Sequence, residues 1–322
     1  VSSDAAAAVT SCAVCGESRG KLLLSARDPD GLSPAPFDVV RCAGCGTAYV
    51  SPRPPAHELA RHYVRGYYGR PGEDSGPLGR LFGRLLMAER AAKAAAGRAP
   101  GRILDVGCGD GSFLAAMRRR GWECWGVEIS DEGAARAAAR PGLNIHDQPL
   151  ERLSLPARGF DVVTLWHSLE HVPDPAGLLA RAAELVKPGG RLLVAFPNGD
   201  SWDLRLFGAR WFHLDPPRHL HYFTPSSMSL LLKKCGLEVE GVSQLSFEYN
   251  LFGFAQSALN LATRRPNYLY RRLKGTLPHG AVGDALATAL LAIPAGLLAV
   301  PYALAAAACG RSGCVDVSAR RR

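Results

Sequence analysis

Leu104-Asp105-Val106-Gly107-Cys108-Gly109-Asp110-Gly111 is the stretch that decides the fold of this 322-residue chain. Arg102–Val106 reads as a short apolar strand, the glycines as a tight turn, and residues 112–120 as a helix closed by Gly121. A strand, a glycine-rich turn and a helix in that order aim backbone N–H groups at a ligand on the helix N-terminus. The spacing is GxGxG rather than the GxGxxG of dinucleotide sites. Asp105 would repel a pyrophosphate and attract an ammonium. The turn therefore suits a cofactor with a cationic amino-acid end, held by Asp105, Gly107, Cys108, Gly109 and Gly111.

Outward from the turn, strands and helices alternate. Strands are predicted at 122–128, Leu143–His146, Phe160–Trp166 and 191–196, with helices at 131–140 and 175–186 between them. That alternation means βαβ units on a parallel sheet. A helix is predicted at 79–97 before the first strand. The helix Pro225–Lys234 and the strand 237–245 come after the last. Glu128 ends the second strand, where a carboxylate can accept bonds from both ribose hydroxyls. Asp147 follows the third strand, within reach of an adenine amino group.

Two tight cysteine pairs precede this region, Cys12-Ala-Val-Cys15-Gly16 and Cys42-Ala-Gly-Cys45-Gly46. Two intervening residues let one turn aim both sulfurs at one ion, and the following glycine permits the left-handed turn. Two such knuckles predict a closed tetrahedral site for structural zinc. The alternative, two redox CxxC motifs, lacks the strand-to-helix setting such motifs use. Nine cysteines, an odd number with four in tight pairs, indicate a reducing compartment. Residues 1–10 read as a disordered tail without a secretory pattern, which predicts a cytoplasmic protein.

Composition narrows the class without choosing a partner. With 47% hydrophobic and 21% charged residues, a wholly disordered chain, a collagen and a small disulfide scaffold are excluded. Thirty-eight basic against 29 acidic residues leave a formal charge of +9. That balance suits RNA, an anionic membrane surface or a phosphorylated substrate. The segment between the cysteine pairs carries Arg19, Lys21, Arg27 and Arg41 among acids, without the interleaved aromatics of a nucleic-acid surface.

Residues 105–111, Glu128, Asp147, Phe160-Asp161-Val162-Val163, His167-Ser-Leu-Glu170-His171-Val172-Pro173-Asp174-Pro175 and Lys187-Pro188-Gly189-Gly190 together resemble class I S-adenosylmethionine (SAM) methyltransferases. The variant is similar to the ubiquinone-biosynthesis O-methyltransferases over residues 79–247. The resemblance implies an α/β, Rossmann-like seven-stranded sheet with its last strand antiparallel. It also implies SAM as cofactor, with Asp105 and the glycines at the methionine end, Glu128 on ribose and Asp147 on adenine. Ile129 and Trp166 would border the cofactor, with Gln148 beside Asp147. Cys45–Pro54, Pro197-Asn198 and residues 217–224 extend the resemblance to a bacterial subgroup with an N-terminal zinc ribbon. Its members act in natural-product, deoxysugar and cell-envelope pathways. The deoxysugar 3-C-methyltransferases of this subgroup share the ribbon but are usually longer.

The expected division is a ribbon at 11–50, a SAM-binding domain at 79–247 plus 311–322, and an apolar helical insertion at 248–310. The expected acceptor is a small molecule, a sugar or a lipid-linked molecule; RNA, docked through the ribbon and the basic surface, is the alternative. Candidate bases are His167, His171 and His219, with His213, His221 and Tyr222 nearby. His219 and His221 alternate along an extended segment, so only one should face the site, and His219 is favoured. Between Ala285 and Gly310 no residue is charged. A single membrane crossing is rejected, because residues 314–319 look like the sheet's last strand. Two readings remain for 285–310. One is a pair of buried helices forming a cap or homodimer surface; the other is a hairpin dipping into a membrane beside Arg264, Arg265, Arg271, Arg272 and Lys274.

Overall fold

The strands on either side of the glycine-rich turn join one mixed sheet. The computed structural model describes residues 10–63, 77–276 and 281–322, so the tail expected at 1–10 lies, except for Thr10, outside the described residues. The chain opens with β1 (Gly20–Ala26), β2 (Phe37–Cys42), β3 (Ala48–Val50) and α1 (Ala56–Ala60). It continues through α2 (Pro77–Ala95), β4 (Arg102–Val106), α3 (Ser112–Arg118), β5 (Glu123–Val127), α4 (Asp131–Ala138) and β6 (Leu143–His146). Then come β7 (Phe160–Trp166), α5 (Pro175–Leu185), β8 (Val186–Pro197), α6 (Trp202–Phe207), β9 (His221–Tyr222), α7 (Pro225–Lys234) and β10 (Leu237–Ser243). The chain closes with α8 (Phe252–Ala262), α9 (Tyr268–Leu273), α10 (Val282–Ala308) and β11 (Cys314–Arg321).

The seven-stranded sheet runs β10-β11-β8-β7-β4-β5-β6. From β8 to β6 all pairs are parallel, whereas β11 is antiparallel to both neighbours, as the resemblance implied. Helix starts follow local chemistry. Asp174 caps α5 by accepting from the Gly177 N–H at 2.9 Å, with Pro175 as the first helical residue. Thr224 and Ser227 form a reciprocal capping box on α7. The strand expected at 191–196 starts earlier, at Val186. Pairing jumps from Phe160↔Val186 to Val162↔Arg191, so Lys187-Pro188-Gly189-Gly190 bulges out rather than ending the ladder.

Alternating strand residues serve two cores. Leu104 and Val106 pack with Val163, Val194 and the α5 and α7 side chains Leu179 and Met228. Ile103, one residue away, packs with Val162, Ala91 of α2 and Phe113 of α3. Asp105 therefore shares the face of β4 on which α2 lies.

The cysteine-bearing hairpin is stitched into this body. Its sheet, β1-β2-β3-β9, is completed by a strand from beyond β8, with Ala48 opposite Tyr222. Arg218, 2% exposed, pairs with Asp215 through an Nε bond of 2.8 Å and also with Asp28 and Asp30. Arg271 of α9 reaches the same Asp30, so the β1–β2 connection, the segment before β9 and α9 meet at one ion cluster around the buried Arg218.

Between Ala285 and Gly310 the expected pair of helices is replaced by the single helix α10, 27 residues long with Pro294 and Pro301 inside it. The two prolines are two turns apart on one flank, so their missing N–H groups fall on the same side. Nor is the helix buried: only 22% of its most apolar window is.

Candidate active site

The glycine turn caps the sheet's carboxyl edge. Gly107, Gly109 and Gly111 have φ of 79°, 54° and 73°, the left-handed region that side chains avoid. The N–H groups of Gly107 and Cys108 both donate to the Val127 carbonyl, at 2.8 and 3.0 Å. A Cβ on Gly107 would lie 2.6 Å from Ser168 Cβ, so the turn abuts the segment after β7. A Cβ on Gly109 would meet nothing within 4 Å. That side of the turn is open to a ligand. Cys108 serves differently from the glycines. Its thiol packs over Gly126 in the core, its N–H is committed, and its carbonyl accepts from Gly111.

Two buried carboxylates flank the turn. Glu128, 4% exposed, accepts from the Gly109 N–H at 2.9 Å and from the Ser130 N–H at 2.8 Å. One backbone donor per oxygen fixes its orientation and leaves further lone pairs for hydroxyls. Asp105, 2% exposed, accepts from the Thr164 hydroxyl at 2.7 Å. Burial pushes its carboxyl from 3.8 up to about 7, against the Thr164 bond and the nearby Arg90 charge. A buried acid so placed gains from a cationic ligand. Trp166 lies under the same face with its indole N–H unpartnered among the described residues and its ring 5.6 Å from Phe113. Ile129 is 66% exposed, and Asp147 and Gln148 are exposed past the end of β6.

A second cluster follows β7. His167 has φ 51°, rare for a residue with a side chain, and its Nδ1 lies 3.1 Å from Glu170 Oε1. Its Nε2 is buried without a partner among the described residues. The ring is covered by Tyr249, centroid to centroid 3.7 Å, and stacks at 6.1 Å on His213. Glu170 is fully buried, yet its hydrogen bond and charge interaction with His167 outweigh burial and hold its carboxyl at about 2. His171 packs edge-on against His219 at 4.6 Å, and its Nδ1 lies 3.1 Å from both Tyr63 Oη and the Arg218 carbonyl. Burial, with His219 beside it, lowers His171 to about 4. His219 Nδ1 lies 2.8 Å from the His213 carbonyl. Glu170, His171 and His219 each offer one potential ligand atom within 4.8 Å of the others. The structure thus gathers His167, His171 and His219 around Glu170. His221 leaves the cluster: it faces the Val172 carbonyl at 3.1 Å and stacks on Phe223.

Arg90, Thr164, Glu248 and Tyr249 escaped the sequence reading. Arg90 projects from α2, with its guanidinium 5.7 Å above Trp166 and 5.0 Å above Tyr249. It donates to Glu248 Oε2 at 3.0 Å and to the Tyr249 hydroxyl. Glu248 and Tyr249 come from the π-helical turn Phe247–Leu251, at the start of the segment assigned to the insertion. One signal was available, an arginine on the apolar side of a helix leading into the first strand.

Cys12, Cys15, Cys42 and Cys45 converge at the ribbon tip and could hold a metal ion. Their sulfurs approach to 3.6 Å for Cys12–Cys45 and 3.5 Å for Cys15–Cys42. A tetrahedral ion with ~2.3 Å bonds to sulfur would separate its ligands by about 3.8 Å. Gly16 and Gly46 adopt the left-handed φ, 80° and 76°, that the knuckles required.

Residues 80–242 match the methyltransferase domain family Methyltransf_23. The chain is 34% identical over 158 residues to the ubiquinone biosynthesis O-methyltransferase of Aeromonas salmonicida, covering 45% of this chain and 66% of that one. It is 30% identical over 199 residues to the enzyme of the same name from Bordetella avium, covering 56% of this chain and 81% of that one. A SAM-dependent methyltransferase structure from Mesorhizobium loti overlays on 73% of this chain and 98% of its own, at 22% identity and a TM-score of 0.45. The family match spans half the chain and the Bordetella relative is covered over most of its length, so the chain belongs to the class I SAM-dependent methyltransferases.

Proposed function

We propose that the chain methylates a hydroxyl of a small organic, sugar or lipid-linked acceptor, with His167 as the base. The observation that carries this reading is the His167–Glu170 pair. A strained backbone holds an imidazole whose Nδ1 is fixed by a buried carboxylate and whose Nε2 has no hydrogen-bond partner among the described residues. The pair stands beside the cofactor turn, since Ser168 touches Gly107. The related ubiquinone enzymes are named for O-methylation, which suits such a base.

SAM, when bound, supplies a methyl group on a positive sulfur. Asp105 meets its ammonium, and Arg90 on the same face supports its carboxylate. Glu128 takes the ribose, and Asp147 and Gln148 the adenine, with Ile129 and Trp166 at its edges. His171 and His219 shape the acceptor side of His167, and Tyr249 shields it from water. His167 accepts the hydroxyl proton at Nε2 while Glu170 steadies the resulting positive ring. The four ribbon cysteines hold a structural zinc that braces β2 and β3 against β9.

Methyl-labelled SAM incubated with the protein and an extract of its own cells tests the acceptor class. Label in small solutes or lipids supports the reading; label confined to RNA overturns it. Loss of labelling in His167→Asn with SAM binding intact supports the assigned base; unchanged labelling refutes it. Asparagine tolerates the left-handed φ and so spares the backbone.

A further inference from the structure

The helix α10 is built inside out. Val282, Leu286, Leu290, Ile293, Leu297 and Leu304 fall within an arc of about 80° at 3.6 residues per turn, and they are 56–74% exposed. The face toward the body carries Ala295, Ala299, Ala303 and Ala306, each at most 7% exposed. A helix on a water-bathed fold turns its large apolar side chains inward. Small residues inward and leucines outward is the arrangement of helices that meet lipid.

The outward face also lacks polar groups. No residue from Ala285 to Gly310 is charged. Thr288 is buried, and the Tyr302 hydroxyl donates inward to Asp203 at 3.1 Å. A protein partner would bring a polar rim, with about one hydrogen bond per 100–200 Å², and this face offers nothing to answer it. Both ends of the helix are tied to the body. Asp284 accepts from the backbone N–H groups of Arg264 and Arg265, at 2.8 and 3.3 Å. At the other end the Arg311 carbonyl accepts from the Trp202 N–H at 2.9 Å just before β11 enters the sheet. The helix therefore lies along the body and does not cross a bilayer.

Charge complements this face at its N-terminal end. Arg264 and Arg272 are exposed there, in a chain of formal charge +9. Leu261 and Leu273, 63% and 62% exposed, extend apolar surface onto α8 and α9. We propose that α10, with the adjoining ends of α8 and α9, is a docking surface for an anionic lipid bilayer. The leucine face sits at the level of the upper acyl chains, and Arg264 and Arg272 lie among the headgroups. An apolar groove borders it, with Val300 and Leu304 of α10 on one wall and Phe247 and Leu251 on the other. The second wall belongs to the same π-helical turn, Phe247–Leu251, that holds Tyr249 over His167.

Flotation of the full-length protein with vesicles tests this. One set is phosphatidylcholine alone; the other contains about one third phosphatidylglycerol. The expected result is binding to the anionic vesicles that weakens at high salt and falls at least about ten-fold in the double variant Leu290→Glu/Leu297→Glu. Both positions are about 70% exposed, so the fold and SAM affinity of the variant should match those of the parent. Equal flotation of variant and parent overturns the proposal. So does absence of flotation combined with a stable dimer that the variant dissociates. Equal binding to neutral and anionic vesicles overturns the role given to Arg264 and Arg272.

Discussion

Replacing Asp105 by Asn should raise the stability of the cofactor-free protein and lower its affinity for SAM. The two effects share one cause. In the free protein a buried carboxyl whose pKa rises from 3.8 to about 7 is disfavoured as an anion by ~4 kcal/mol. Because the native state binds this proton more tightly than the unfolded chain, the group's contribution is complete below about pH 4. It is lost as pH rises from there to about 7. An amide does not titrate, so Asp105→Asn should melt higher than the parent above pH 7, and its melting temperature should lose that part of the pH dependence. SAM binding takes the opposite sign, because an ammonium needs the ionised form. Between pH 7 and pH 5, where the SAM ammonium stays charged, the protonated fraction of the free protein rises from about half to nearly all. Affinity of the parent should then fall by about 50-fold, or ~2.3 kcal/mol, while the variant binds weakly at both. Calorimetric titration at the two pH values, with melting curves of the free proteins, measures both. A variant that binds SAM as tightly as the parent and with the same pH slope would refute the role of Asp105.

Other outcomes follow from the same geometry. His167→Asn should lower turnover by about 10²- to 10⁴-fold and change SAM affinity by less than about two-fold, with Glu170→Gln between it and the parent; a collapse of SAM binding in His167→Asn would make the residue a support of the turn instead. Metal analysis of purified protein should find about one zinc per chain, and Cys42→Ser should lose it and expose β1–β3 to protease; a metal-free parent of full stability would remove zinc from the account. Arg218→Met should cost about 3–5 kcal/mol in denaturant unfolding, because the buried Asp28 and the partly buried Asp215 stay without their cation. A loss below about 1 kcal/mol would show that the ribbon is held by its apolar contacts alone.

What the sequence disclosed, and what it hid, divides along the range of the forces involved. The elements Leu143–His146, Phe160–Trp166 and Pro225–Lys234 are legible to the residue, because alternation, a capping threonine and a proline act within a few positions. The glycines and cysteine pairs are legible for the same reason: each demands a particular local turn. Arg90 and Tyr249 are not, because they lie 159 positions apart and become site residues only when α2 and the turn after β10 close over one sheet edge. For His219 and His221, alternation foretold that the two diverge, but the choice between them depended on where His171 lies. Helix α10 is the sharpest case. Its composition carries a strong apolar signal, and two prolines suggested a break. Composition cannot say which face of an apolar helix meets the body. Only the packing of Ala295, Ala299 and Ala303 against the fold reveals that the leucines point away from it. The same 26 uncharged residues are compatible with a buried cap and with a lipid-facing helix. The difference lies in a rotation of about half a turn about the helix axis, which is set by contacts with α8 rather than by any residue's own preference.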